Sequence, residues 1–175
     1  MKLFFMFLVT LALAVPALSM QSGQASVTDS KGSSGELSPM PAITLKDFDG
    51  KRVTGEQLKG SIIVLDFWAT WCGPCIKEIP ALNQLQEKYA TKGVKVIGVT
   101  MASGSAEEVK PFVAKKNMRY TVLMGDDDES YDFNVFGFPT TFIITADLKI
   151  YKKYIGVGTN KAAQIEADIQ KLLSQ

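Results

Sequence analysis

Two cysteines three residues apart, Cys72 and Cys75, stand at the junction between an unbroken apolar run and a stretch of helical periodicity. The run, Ile62-Ile63-Val64-Leu65-Asp66-Phe67, is β-branched and aromatic, the pattern of a central strand covered on both faces. After the pair, Ile79, Leu82, Leu85 and Tyr89 recur at steps of three and four, giving a helix one apolar face, with Pro80 inside it as an expected kink. Cys72 therefore falls at a helix N-terminus, where orphan amides and the helix dipole favour a thiolate. Cys75 lies one turn further in, close enough to close a small disulfide ring. Gly73-Pro74 turns the chain tightly, with proline in the first turn, where no amide donor is needed. These are the minimum parts for thiolate attack on a partner disulfide and for resolution of the mixed disulfide by the second thiol.

Other uses of the pair are restricted by composition. With two cysteines and no histidine among 175 residues, a four-ligand Cys/His zinc set cannot be completed. An inert structural disulfide in an exported protein stays open from the residues alone. Against it, a bridge between positions three apart closes too small a loop to constrain the unfolded chain much. A chain of this length also buries a core without staples. The formal charge is +1, and loss of Lys2 on export would leave 18 cationic and 18 anionic side chains. No basic stripe points to nucleic acid, so partners are expected to be held by shape and backbone pairing.

The N-terminus is organised as an export signal. Lys2 precedes the apolar run Leu3 to Val15, Pro16 breaks it, and Ala17-Leu18-Ser19 places small residues for a cut after Ser19. The run is short of the roughly 20 residues of a membrane span. No cysteine follows it, which excludes a lipoprotein anchor. An uncleaved N-terminal anchor is the alternative, and both readings put the remainder outside the cytoplasm. Residues 20–38, rich in Ser and Gly, read as a flexible spacer, which leaves one domain over 39–175.

Within that domain, Ile43 to Val53 predicts a hairpin around Asp49-Gly50. Gly93 closes the helix after the cysteines, and Val94 to Thr100 forms the next strand. Ser105-Ala106-Glu107-Glu108 is a capping box opening a helix with Val109, Phe112 and Val113 inward. Tyr120 to Met124 predicts a strand, and Thr140 to Thr145 with Lys149 to Ile155 a second hairpin through Ala146-Asp147. Asn160 is expected to cap a last helix with Ala162, Ile165, Ile169, Leu172 and Leu173 on one face. Early strands alternate with helices and the last two are antiparallel, so the domain is α/β with a mixed central sheet.

The stretch Val64 to Cys75, ending Trp71-Cys72-Gly73-Pro74-Cys75, resembles the active-site signature of thioredoxins. Cys75 to Pro80 and Gly137-Phe138-Pro139-Thr140-Thr141 are similar to the TlpA/ResA-like branch of exported thioredoxins, and the likeness spans Pro39 to Leu173. The resemblance implies a thioredoxin fold with an N-terminal β-hairpin and a central helix–strand insertion over Ser105–Met124. It implies a thiol–disulfide oxidoreductase without a cofactor, with Cys72 as attacking nucleophile and Cys75 as resolving thiol. Pro139 matches the family's cis-proline, which lets the backbone of Phe138 pair with a substrate strand; an ordinary trans turn is the other reading. Trp71 would form a partly exposed wall beside Cys72, with Gly73 and Pro74 completing the surface, whereas Trp68 belongs in the core.

Asp66 matches the buried thioredoxin acid that assists proton transfer to the resolving cysteine. The residues agree, since an acid in an apolar strand is costly to ionise and its pKa should rise; a solvent-facing charge at the strand end is the alternative. Glu78 resembles the acid that ResA-like proteins hold near their cysteines, or else is a plain surface glutamate. The lysine that often accompanies the thioredoxin acid has no match in Val96 to Thr100. Ala69 stands where peroxiredoxins keep a threonine.

Gly73-Pro74 matches reducing thioredoxins, while oxidising relatives carry a histidine there. The expected function is therefore reduction of disulfide-containing protein substrates in the bacterial cell envelope, by a monomer recharged from a thiol-type membrane electron donor, with cytochrome c maturation or thiol rescue as the family's uses. A net oxidant or isomerase, and a non-catalytic binding module, are the competing readings. Asp126-Asp127-Asp128-Glu129 fails as an EF-hand, with Tyr131 and Gly137 in place of the required Gly and Glu, and is expected to be a solvated acidic loop with no metal.

Overall fold

The computed structural model of the protein describes residues 37–175. The signal over 1–19 and nearly all of the spacer over 20–38 lie outside the described residues.

Eight strands form one mixed sheet: β1 (Ser38–Pro39), β2 (Thr44–Lys46), β3 (Arg52–Thr54), β4 (Ile62–Trp68), β5 (Val94–Thr100), β6 (Thr121–Met124), β7 (Thr140–Ile144) and β8 (Lys149–Ile155). Their order is β1-β8-β7-β4-β5-β6-β2-β3, with β4, β5 and β6 parallel and the rest antiparallel. Five helices join them: α1 (Gly55–Leu58), α2 (Gly73–Tyr89), α3 (Ala106–Lys115), α4 (Asp127–Asp132) and α5 (Lys161–Leu173). The α/β mixed sheet, the N-terminal hairpin and the helix–strand insertion are present as expected.

All seven residues of β4 are buried. Side chains alternate across a strand, so Ile62, Val64, Asp66 and Trp68 share one face and Ile63, Leu65 and Phe67 the other. The first face packs under Ile79, Leu82, Leu85 and Tyr89 of α2 and Ile165 and Ile169 of α5. The second meets Ile43, Leu45, Leu58, Phe133 and Val135, with the Phe67 ring 5.2 Å from Phe133 and 5.8 Å from Phe142. This alternation sets Asp66 on the α2 side of the sheet.

The helix after the cysteines runs without interruption from Gly73 to Tyr89 through Pro80. The first hairpin turns through Asp47, whose carboxylate accepts the amides of Asp49 and Lys51, and through Gly50 at φ +80°. The capping box at α3 is seen in Glu108, which accepts the Ser105 amide at 2.8 Å.

Four features differ from the sequence reading. The acidic stretch is not a loop but the helix α4: Asp126 accepts the Asp128 amide and Glu129 the Asp126 amide, each at 2.9 Å, so caps hold a turn that apolar periodicity did not announce. The short α1 forms where Gln57 accepts the Thr54 amide at 2.9 Å. Asn160 occupies the N-cap position of α5 without a side-chain capping bond. Ala162 and Leu173 are exposed, because the buried row of α5 runs Lys161, Ile165, Ile169 at four-residue steps.

Gly98 pairs with Asp66 across the parallel β4–β5 ladder. A Cβ at Gly98 would lie 2.9 Å from Trp68 Nε1 and 3.1 Å from the Tyr120 ring. Both rings are buried and cannot swing aside freely. Gly98→Ala should therefore lose about 1–3 kcal/mol of stability, read as a lower guanidinium midpoint. An unchanged midpoint would show that the two rings give way at no cost.

Candidate active site

β4 ends at Trp68, and the chain turns through Ala69 to Trp71 before α2 begins. Cys72 is the N-cap of α2, and its sulfur accepts the amide of Cys75 at 3.2 Å. The two cysteines form a disulfide with Cα atoms 5.3 Å apart. Cys72 and Cys75 are 5% and 2% exposed, while Gly73 and Pro74 between them are exposed. The disulfide thus lies just beneath a bare backbone turn, with Cys75 the deeper sulfur.

Trp71 is 65% exposed and anchored at one edge, its indole Nε1 donating to Ala102 O at 2.8 Å. Its ring stands edge-on to Phe138, centroids 5.9 Å apart, which brings the 137–139 segment beside the cysteine turn. The Phe138–Pro139 peptide bond is cis. Pro139 O accepts the amide of Gly156, and Thr140 Oγ1 donates to Gly137 O, both at 2.8 Å. Trp68 is in the core at 1% exposure, its ring 6.0 Å from Phe112.

On the α2 side of the sheet lies a buried polar cluster. Antiparallel pairing of β4 with β7 sets Thr141 opposite Asp66, and Thr141 Oγ1 donates to Asp66 Oδ1 at 2.7 Å. Asp66 is 2% exposed, which excludes the solvent-facing alternative. Burial pushes its carboxyl up to about 7; the Thr141 bond and the positive charge of Lys161 pull it back, and the negative charge of Glu78 adds to the rise. Burial likewise lifts the Tyr120 phenol well above its usual range, with Asp66 and Glu78 contributing.

Glu78 is not a free surface glutamate. Its carboxylate meets Lys161 Nζ at 2.9 Å, and their side chains are 18% and 6% exposed. Lys161 also donates to Gly156 O at 3.1 Å. This lysine was not singled out in the sequence, yet it carried a signal: it occupies the position four before Ile165 on the buried row of α5. The buried acid of the strand does have a cation nearby, supplied by α5 rather than by β5. A cleft of about 320 Å³ between α2 and α5 opens onto the pair. Among the described residues, no three His, Cys, Asp or Glu side chains gather as a metal site.

The profile of the AhpC/TSA family matches residues 37–153. The thioredoxin-like protein YneN of Bacillus subtilis is 32% identical over 130 residues, covering 74% of this chain and 76% of the relative. The thiol-disulfide oxidoreductase ResA of Bacillus cereus is 35% identical over 133 residues, 75% of each chain. Among solved structures, a thiol:disulfide interchange protein DsbE from Chlorobium tepidum superposes with a TM-score of 0.73 at 29% identity, covering 79% of this chain and 98% of that one. The dithiol turn, the cis-proline loop and the buried acid therefore sit on a shared scaffold, and the chain belongs to the AhpC/TSA family, among its thioredoxin-fold, ResA-like thiol–disulfide oxidoreductases.

Proposed function

We propose that the protein reduces disulfides of other proteins in the bacterial cell envelope, cycling Cys72 and Cys75 between dithiol and disulfide. The observation that carries this is the Cys72–Cys75 disulfide at the N-terminus of α2 with the buried carboxyl of Asp66 on the α2 face of the strand before it. In the reduced protein, Cys72 at the helix N-terminus attacks one sulfur of a substrate disulfide and releases the other as a thiolate. The Cys75 sulfur then attacks Cys72, freeing the second substrate thiol and leaving the protein oxidised. Asp66, with its pKa near the working pH, takes the Cys75 proton for that second step.

Trp71, Gly73, Pro74, Phe138 and Pro139 form the surface that receives the substrate chain, and Glu78 tunes the charge beside the dithiol. Two electrons from a thiol-type membrane donor restore the starting state. The Lys2 and Leu3-to-Val15 pattern supports export, and no helix among the described residues is long and apolar enough to cross a membrane. Maturation of c-type cytochromes and rescue of oxidised thiols both need this one reducing step.

Gly73-Pro74 favours the reducing direction over oxidation or isomerisation. The test is the equilibrium potential of the Cys72–Cys75 pair in a glutathione or dithiothreitol buffer. A value near or below roughly −270 mV is expected. A value of about −120 to −180 mV would reverse the direction of electron flow.

A further inference from the structure

We propose that Lys161 is a positioning residue of the dithiol site: its buried ammonium neutralises Glu78 one turn beyond Cys75 and ties α2 to the loop that binds Pro139. The assignment deepens the redox reading and rests on it for the role of the cysteines.

Three observations support it. Lysine is rarely this buried without a dedicated partner, and Lys161 is 6% exposed with Glu78 Oε2 at 2.9 Å. Its second bond goes to Gly156 O at 3.1 Å, and the amide of the same Gly156 donates to Pro139 O at 2.8 Å. A continuous chain of polar contacts therefore runs from the helix of Cys75, through Lys161, to the cis-proline loop. Finally, Lys161 heads the buried row continued by Ile165 and Ile169, so packing of α5 holds the ammonium where it is.

The groups that act on this pair come from several elements: Asp66 from β4 with its Thr141 partner from β7, and Tyr120 from the segment before β6, while Cys75 stands one turn before Glu78 on α2. Lys77 lies at the rim of the neighbouring cleft. With Lys161 present, Glu78 adds little net charge to the site. Without it, an uncompensated carboxylate acts on Asp66 from one turn beyond Cys75, and every anionic form there is disfavoured.

The test is a four-way cycle on the reduced protein: wild type, Lys161→Met, Glu78→Gln and the double variant. Each is alkylated with iodoacetamide from pH 5 to 9, and the midpoint of the Cys72 rate profile is read, with thermal melts alongside. The midpoint belongs to the coupled set of thiols and Asp66 rather than to Cys72 alone. Lys161→Met should raise it by about one pH unit. Glu78→Gln should lower it, and the double variant should return to within about 0.3 unit of wild type. Should Lys161→Met fail to fold, Lys161→Arg is expected to keep the wild-type midpoint and Lys161→Gln to raise it.

Four coincident midpoints with lowered melting temperatures would reduce Lys161 to a structural ion pair and overturn the proposal. A double variant that keeps the raised midpoint of Lys161→Met would overturn it too, since the rise would then not come from an uncompensated Glu78. Alkylation needs only a reduced Cys72, so a wild type that fails to reduce insulin while the cycle holds would remove the reductase reading and leave the lysine assignment standing.

Discussion

Cys72→Ser is expected to abolish catalysed reduction of insulin disulfides by dithiothreitol, bringing turnover down roughly a hundredfold or more, to the uncatalysed rate. The serine hydroxyl is not ionised at neutral pH and forms no disulfide, and the one remaining cysteine, Cys75, is only 2% exposed. Cys75→Ser behaves differently. Its Cys72 should still attack, but with nothing to resolve the product a covalent complex with the substrate is expected to accumulate, visible as a band on a non-reducing gel. Neither change should unfold the protein. Loss of so short a disulfide loop costs at most about 2 kcal/mol by chain entropy. Both core clusters flanking β4 persist without it. Retained turnover in Cys72→Ser would sink the catalytic reading and favour a binding module built on the same groove.

The two variants separate chemistry from scaffold because the scaffold was the more legible part of the sequence. The run Ile62 to Phe67, the Gly50 turn and the capping box at Ser105 each follow from local rules, and each stands in the structure. Pairing between distant segments did not show in the same way. Nothing in Thr44–Lys46 announces that it joins β6, or that Ser38–Pro39 pairs with β8. Helix α4 escaped because caps rather than apolar periodicity hold it.

Lys161 escaped for a related reason. A lysine at the start of a helix reads as solvated, and only its place on the Ile165–Ile169 row hints otherwise. Its partner Glu78 lies on another helix, 83 positions away in the chain. Charge pairs made across the fold leave no local pattern. Asp66 was the opposite case, legible because an acid inside an apolar run contradicts its surroundings.

That contradiction has a measurable cost. The Asp66 carboxyl sits at about 7 in the folded protein, against an ordinary value of 3.8. The folded state therefore binds the proton more tightly than the unfolded chain, and between these two values it holds more protons. Stability must then fall as pH rises through that window, and the full penalty is present above pH 7. A shift of about three units corresponds to roughly 4 kcal/mol. Asp66→Asn removes the titration while keeping an oxygen to accept from Thr141. At pH 8 the variant should be more stable than wild type by up to about 4 kcal/mol, and near pH 4 by little, in denaturant unfolding of the disulfide form. Parallel pH–stability curves would mean that Asp66 is not the source of the slope. The same substitution should slow turnover by roughly a hundredfold, since the proposed proton acceptor for Cys75 is gone. A variant that gains stability only where the wild-type acid is ionised, and loses rate there, identifies the charge itself as what the site retains at the expense of the fold.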